Sequence, residues 1–191
     1  MKYSKFNMGE MEAVLNKLGG MAGLQKLLDG KLRVVHAGHQ IWNNLVVSAS
    51  TPHGFEMYEA LQQAGVELSE GCFKAVNNSA RPDTDTYFMV AMKTKDFGFN
   101  RGANSRDVMA QASLWGFKKV PNIVAPAIAL LLKEKKLTGK FTVATEPMAY
   151  SGMYQVESTG KKVMLSVLPV DGLFNGSSAP NDVWLFDAPS I

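Results

Sequence analysis

The sequence predicts an α+β fold, an antiparallel or mixed sheet packed by a central helical pair, with a helical hairpin at its N-terminal end. Three observations carry this. Residues 104–139 read as two helices set between β-rich stretches. Residues 87–93 (YFMVAMK) are almost continuously apolar or aromatic, the pattern of a central strand covered on both faces. Four short runs after residue 139 are each bounded by Gly, Pro, Ser, Asn or Asp, which is the spacing of hairpins and meanders.

The helical pair has the clearest punctuation. Asn104-Ser105 supplies side chains that accept from orphan first-turn amides, and Asp107 sets a carboxylate at the positive end of the dipole. Val108, Ala112 and Trp115 recur at helical spacing, and Gly116 is the residue that most readily ends a helix in the left-handed conformation. Lys118-Lys119 form the expected turn, and Pro121 forbids a continuous helix through it. The second helix, with Ile123, Val124, Ala127, Ile128 and Leu130 to Leu132, is apolar nearly all round, so it is buried on more than one side. It is too short to span a bilayer. Lys133, Lys135 and Lys136 gather where cations suit the negative dipole end.

Ahead of the pair, residues 9–18 and 21–28 read as two short helices separated by Gly19-Gly20. Met11, Val14, Leu15, Leu18, Leu24, Leu27 and Leu28 are their expected apolar positions. The pattern LNKLGGMAGLQKLL invites comparison with helix-hairpin-helix binders of the DNA backbone. Ala22 replaces a turn glycine of that motif and the turn has no cation, so a packing hairpin is preferred. Residues 31–37 and 41–50 are expected strands, and 55–64 an amphipathic helix with Phe55, Tyr58, Leu61 and Met57 inward. Residues 66–76 have no clear period. Residues 77–85 and 175–181 read as loops from their turn-forming residues. One domain over residues 1–191 is expected, with residues 1–30 as an appendage.

Composition narrows the function. Hydrophobic residues make up 46% and charged residues 19%, which excludes a disordered chain. A net charge of +3 is too mild to argue alone for a nucleic-acid partner. The one cysteine, Cys72, excludes an internal disulfide framework and a cysteine-built zinc site. No apolar leader opens the chain, so a reducing, cytoplasmic setting is expected, with no membrane partner.

Candidate chemistry is sparse. His36 and His39 lie three apart across Gly38, with His53 further on, and no carboxylate nearby in sequence orients a metal, so no metal or cofactor is expected. Cys72 with one of these histidines is the material of a small hydrolase or transferase, although no nucleophile elbow surrounds it. Gly98, Asn100, Arg101 and Gly102 stand just before Ser105 at a helix start. Glycines, a cation and helix amides are the parts of an anion site, but neither a Walker loop nor a dinucleotide fingerprint is present. Lys118, Lys119, Lys133 and Lys136 belong to a basic stretch over 93–140 that would suit nucleic acid or an acidic partner if one surface presented them together.

The opening NMGEMEAVLNKLGGMAGLQKLLDGKLRVV, and the run from FGFNRGANSRDVMAQASLWGFKKV onwards, resemble a family of uncharacterised bacterial proteins. These are often carried on plasmids, prophages or other mobile elements. The resemblance implies an α+β fold and a bacterial or phage origin, with no activity attached. The expected role is a non-catalytic binding protein, an accessory factor with a protein partner or self-association. A nucleic-acid binder and a small enzyme are the alternatives.

Overall fold

The computed structural model describes residues 8–29, 41–48, 50–79, 85–145, 152–169 and 177–188. The expected strand at 31–37, with His36 and His39, lies outside them. By backbone contacts the chain divides into two compact units, residues 1–36 with 190–191, and residues 37–189.

In the first unit, helices α1 (Met8–Lys17) and α2 (Gly20–Leu28) are joined by Leu18 and Gly19. Gly19 and Gly20 both take positive φ, which reverses the chain in two residues. Gly23 is the packing point: a Cβ there would meet the Leu18 carbonyl. Leu15, Leu18, Leu24 and Leu27 are half-buried, while Met11, Val14, Met21 and Leu28 are exposed.

The second unit is α+β. Its elements are β1 (Ile41–Val47), α3 (Gly54–Gln63), β2 (Val66–Leu68), α4 (Cys72–Asn77) and β3 (Asp85–Lys93), then a 3-10 turn (Thr94–Phe97). They continue with β4 (Ala103–Asn104), α5 (Ser105–Leu114), α6 (Val124–Glu134), β5 (Thr138–Val143), β6 (Gly152–Thr159), β7 (Val163–Pro169), β8 (Ser177–Ser178) and β9 (Val183–Asp187). Seven strands form one mixed sheet in the order β1-β3-β9-β5-β6-β7-β2, and β4 pairs with β8 apart from it. β5, β6 and β7 make the expected antiparallel meander, and Thr159 closes its second turn by donating to the Lys162 carbonyl at 3.0 Å. The sheet is mixed because β9 runs parallel to β5 and antiparallel to β3, and β2 runs parallel to β7.

Side-chain alternation divides the sheet into two covered faces. Met89, Phe141, Val143, Tyr154, Val156, Val163, Leu165 and Leu185 join one core with α3, α4 and α6. Their strand neighbours Phe88, Val90, Trp184 and Phe186 are buried on the other face. There Phe186 meets Phe97 of the 3-10 turn at 5.6 Å and Phe117 at 5.6 Å.

The first face is concave. Trp42 of β1 meets Phe141 of β5 with ring centroids 5.1 Å apart, although two strands lie between them. Strands three positions apart in a flat sheet would be separated by about 14 Å. A register shift between Ile41 and Asn43 turns Trp42 to the same face as Leu45, and the sheet curls around α6. That explains a helix apolar nearly all round. Val124, Ala125, Ile128, Ala129 and Leu132 are buried, and Ala127, Leu130 and Leu131 are half-buried.

Several expectations need correction. The two helices of the central pair are not joined by a short turn. Residues 115–123 run between them, bridging Lys118 to Asp187 and Val120 to Thr145; α6 joins the core of one face, while the end of α5 meets Phe97, which packs on Phe186 of the other. Phe55 is exposed, and Met57 and Leu61, four apart, are the buried positions of α3. Residues 66–76 resolve into β2 and α4, each too short to show a period. Ser177-Ser178, expected in a loop, is strand β8.

Candidate functional site

Cys72 opens α4 and is fully buried. Its Sγ donates to the Leu165 carbonyl at 3.1 Å and lies 3.4 Å from Ser69 Oγ. Burial pushes the thiol above its ordinary range, outweighing the hydrogen bonds that favour the thiolate. The geometry therefore holds a protonated thiol, where a nucleophile needs a thiolate. His53 does not reach it. The Gly54 amide donates to Ser79 Oγ at 3.1 Å, which sets His53 beside the C-terminal end of α4. Cys72 is at the other end, about 8 Å away along the helix. His53 Nδ1 has no hydrogen-bond partner among the described residues and stands 3.9 Å from Glu56 Oε2. Among the described residues, no three His, Cys, Asp or Glu side chains gather as a metal site.

Beside the thiol, Tyr154 is fully buried and its hydroxyl has no partner among the described residues. Burial raises the phenol far above its ordinary range, and the neighbouring Cys72 adds to the shift. Both groups hold their protons more tightly in the folded chain, whereas the unfolded chain releases them at ordinary values of 9.0 for the thiol and 10.0 for the phenol. Above those values the unfolded state binds fewer protons, so stability is full below about pH 9 and falls as pH rises further. Tyr154→Phe should therefore flatten the alkaline loss. At neutral pH it should gain about 1 kcal/mol or more, because a hydroxyl buried without a partner costs that much. Urea unfolding at about pH 7 and about pH 10.5 checks this. A variant less stable at neutrality, with the alkaline loss intact, would refute it.

The loop before α5 is built for a turn. Gly98 and Gly102 have φ of 93° and 91°, and a Cβ on Gly102 would come 2.7 Å from the Ser178 carbonyl of β8. The Asn100 amide donates to the Gly98 carbonyl at 3.1 Å, and Arg101 is exposed. Ser105 is the first residue of α5, but the cap is Asn104, whose Oδ1 accepts from the Asp107 amide at 2.8 Å. Asn104 Nδ2 donates back to Asp107 Oδ2 at 2.7 Å. The helix terminus thus already has a cap and a carboxylate, and an incoming anion would meet both.

The four lysines do not share one surface. Lys118 and Lys119 precede α6, while Lys133 and Lys136 stand at its far end, about 16 Å along the axis. Lys133 is used internally: its Nζ donates to the carbonyls of Gly65 at 3.3 Å and Lys161 at 3.1 Å, tying β2 to the β6–β7 turn. Lys136 takes a positive φ of 51° just after the helix.

No family model, curated protein or solved structure matches the chain. Function is therefore read from this chain's own surfaces. Among the described residues, no helix is long and apolar enough to cross a membrane.

Two exposed clusters stand out. On α3 and α4, Phe55 is 54% and Phe73 46% exposed, with Tyr58 between them. Phe55 and Tyr58 stack at 6.2 Å, and Tyr58 meets Phe73 edge-on at 4.9 Å. Gln62 Nε2 donates to the Tyr58 hydroxyl at 3.0 Å and fixes the middle ring. At the end of α5, Leu114 is 80% and Trp115 43% exposed. The sequence reading places Phe55 and Trp115 inward. For Phe55 the usable signal is its offset from the buried pair Met57/Leu61, which already fills the inward stripe; Trp115 is in phase with Val108 and Ala112, so no such offset marks it.

Proposed function

We infer that this protein acts by binding a protein partner, as a non-catalytic accessory factor of a bacterium or its mobile elements. The resemblance to plasmid- and prophage-borne proteins supplies the setting. The ladder Phe55–Tyr58–Phe73 carries the reading. Three rings in series, Tyr58 touching Phe55 and Phe73, make a continuous apolar surface, and such surfaces mark interaction sites. Aromatic anchors give large contact area for few frozen torsions, which is why they dominate interface energetics. Among the described residues 54–79, exposed Glu56, Glu59 and Glu70 flank the rings and Lys74 is the one cation. A partner segment bearing Lys or Arg complements that rim, and its cations can lie over ring faces.

The test is the double variant Phe55→Ser with Phe73→Ser. Both side chains are outside the core, so the thermal midpoint should move little. Cross-linked capture from a bacterial lysate, quantified against the unaltered protein, should lose a specific partner. The purified partner's affinity should fall about 30-fold or more, the scale of a hot-spot loss. Sedimentation of the protein alone tests self-association through the same face. Equal capture by both forms would reject the ladder as the contact surface.

A further inference from the structure

A second surface, on the opposite face of the sheet, carries charge of the other sign. Residues 93–119 hold six cations, Lys93, Lys95, Arg101, Arg106, Lys118 and Lys119, against two acids, Asp96 and Asp107. That is a net of +4 where the whole chain carries +3, so all the remaining residues together are net −1. Every one of the six cations is on an exposed residue. Both acids are engaged locally. Asp96 Oδ2 accepts from the Lys93 amide at 2.8 Å, and Asp107 Oδ2 accepts from Asn104. The stretch as a whole therefore carries a net positive charge.

These residues come together in space through one aromatic cluster. Phe97 meets Trp115 at 5.3 Å and Phe117 at 6.1 Å, which brings the 3-10 turn against the end of α5. Lys95 lies two residues before Phe97, and Lys118 and Lys119 directly follow Phe117, so these three are close in the chain to the ring cluster that holds Trp115. Arg106, Ala110 and Leu114 are spaced by four along α5 and are all exposed, forming a stripe that leads to the indole. Trp115 itself is seated on a rigid base, because Phe97 is buried and packed on Phe186.

We propose that this surface binds single-stranded nucleic acid, with a base stacked on Trp115 and the phosphates held by Lys95, Lys119 and Arg106 of α5. A held aromatic ring amid cations is the arrangement that takes unpaired bases without sequence preference. An anionic bilayer fits less well. An interfacial helix needs a broad apolar face, whereas α5 exposes Arg106, Ala110 and Ser113 with one large apolar residue, Leu114. A duplex fits less well too, because its bases are already stacked on each other.

This inference is independent of the aromatic ladder. The probes are a labelled oligo(dT), an oligo(U) of the same length, a duplex, phosphatidylserine-containing vesicles and poly-glutamate. Oligonucleotide binding at low salt should weaken linearly in log–log form as salt rises, by about 0.7 per phosphate engaged. It should quench tryptophan emission, since Trp184 is buried, Trp42 is half-buried in the core and Trp115 is exposed. Trp115→Phe should retain binding and lose most of the quench. Trp115→Ala should weaken binding ~5- to 100-fold, the scale of one lost base stack. Lys95→Glu with Lys119→Glu should weaken it at least tenfold and shallow the salt slope. Phe55→Ser with Phe73→Ser should bind as the unaltered protein does, so a failure of either surface is read separately. No binding at low salt, equal binding of poly-glutamate, tighter binding of vesicles or duplex, or indifference to the lysine reversals would each overturn the proposal.

Discussion

Trp184→Ala is expected to destabilise the protein by about 3–5 kcal/mol, the range for emptying a buried aromatic site. Trp184 is the largest of the fully buried side chains, and its ring stacks 6.1 Å from Phe186. It also completes a buried polar group. Its Nε1 donates to Thr94 Oγ1 at 3.2 Å and Ser178 Oγ at 3.0 Å, and those hydroxyls are 2.6 Å from each other. Asp182 Oδ2 accepts from the Ala179 amide at 2.7 Å and lies 3.4 Å from Ser178 Oγ. The indole thus ties the 3-10 turn, β8 and β9 together. Removing it leaves a cavity and two buried hydroxyls short of a donor, so the terms add. Trp184→Phe keeps most of the volume and should cost less. Urea unfolding measures both, and a loss below about 1 kcal/mol for Trp184→Ala would show that the site collapses around the gap.

The second large effect separates the two central helices. Leu132→Ala, in the last turn of α6, should cost about 2–5 kcal/mol. Leu132 is fully buried within the curl of the sheet. Leu114→Ala, at the end of α5, should stay within about 0.5 kcal/mol. The chemistry is identical, so the contrast reads burial alone. Comparable losses at the two positions would mean that the exposed end of α5 is covered in solution.

What could be read in advance follows from how local each signal is. Asn104 and Asp107 sit within one turn of the helix they start, and the cap forms as their spacing implies. The apolar run over 123–132 announces a helix enclosed on several sides, because no polar stripe is left to face water. The curl that encloses it depends on a register shift at Trp42 and a ring contact with Phe141, far away in the chain, and no short window contains both. Trp115 illustrates the same limit at a candidate site. Its spacing from Val108 and Ala112 points inward, yet the helix ends at Leu114, and the indole turns onto Phe97 instead. Strand order was equally hidden. Nothing in residues 183–187 says that they lie between β3 and β5.

That insertion bears on how the molecule is made. β1 and β3 form one half-sheet, and β5, β6, β7 and β2 form another; within the sheet, only β9 joins the two. A nascent chain that has emerged up to residue 182 therefore carries two half-sheets, each with an unpaired interior edge of the kind that recruits foreign strands. The final zipping step closes both edges at once and must wait for the ribosome to deliver Val183–Asp187. Until then such edges are open to pairing with neighbouring chains.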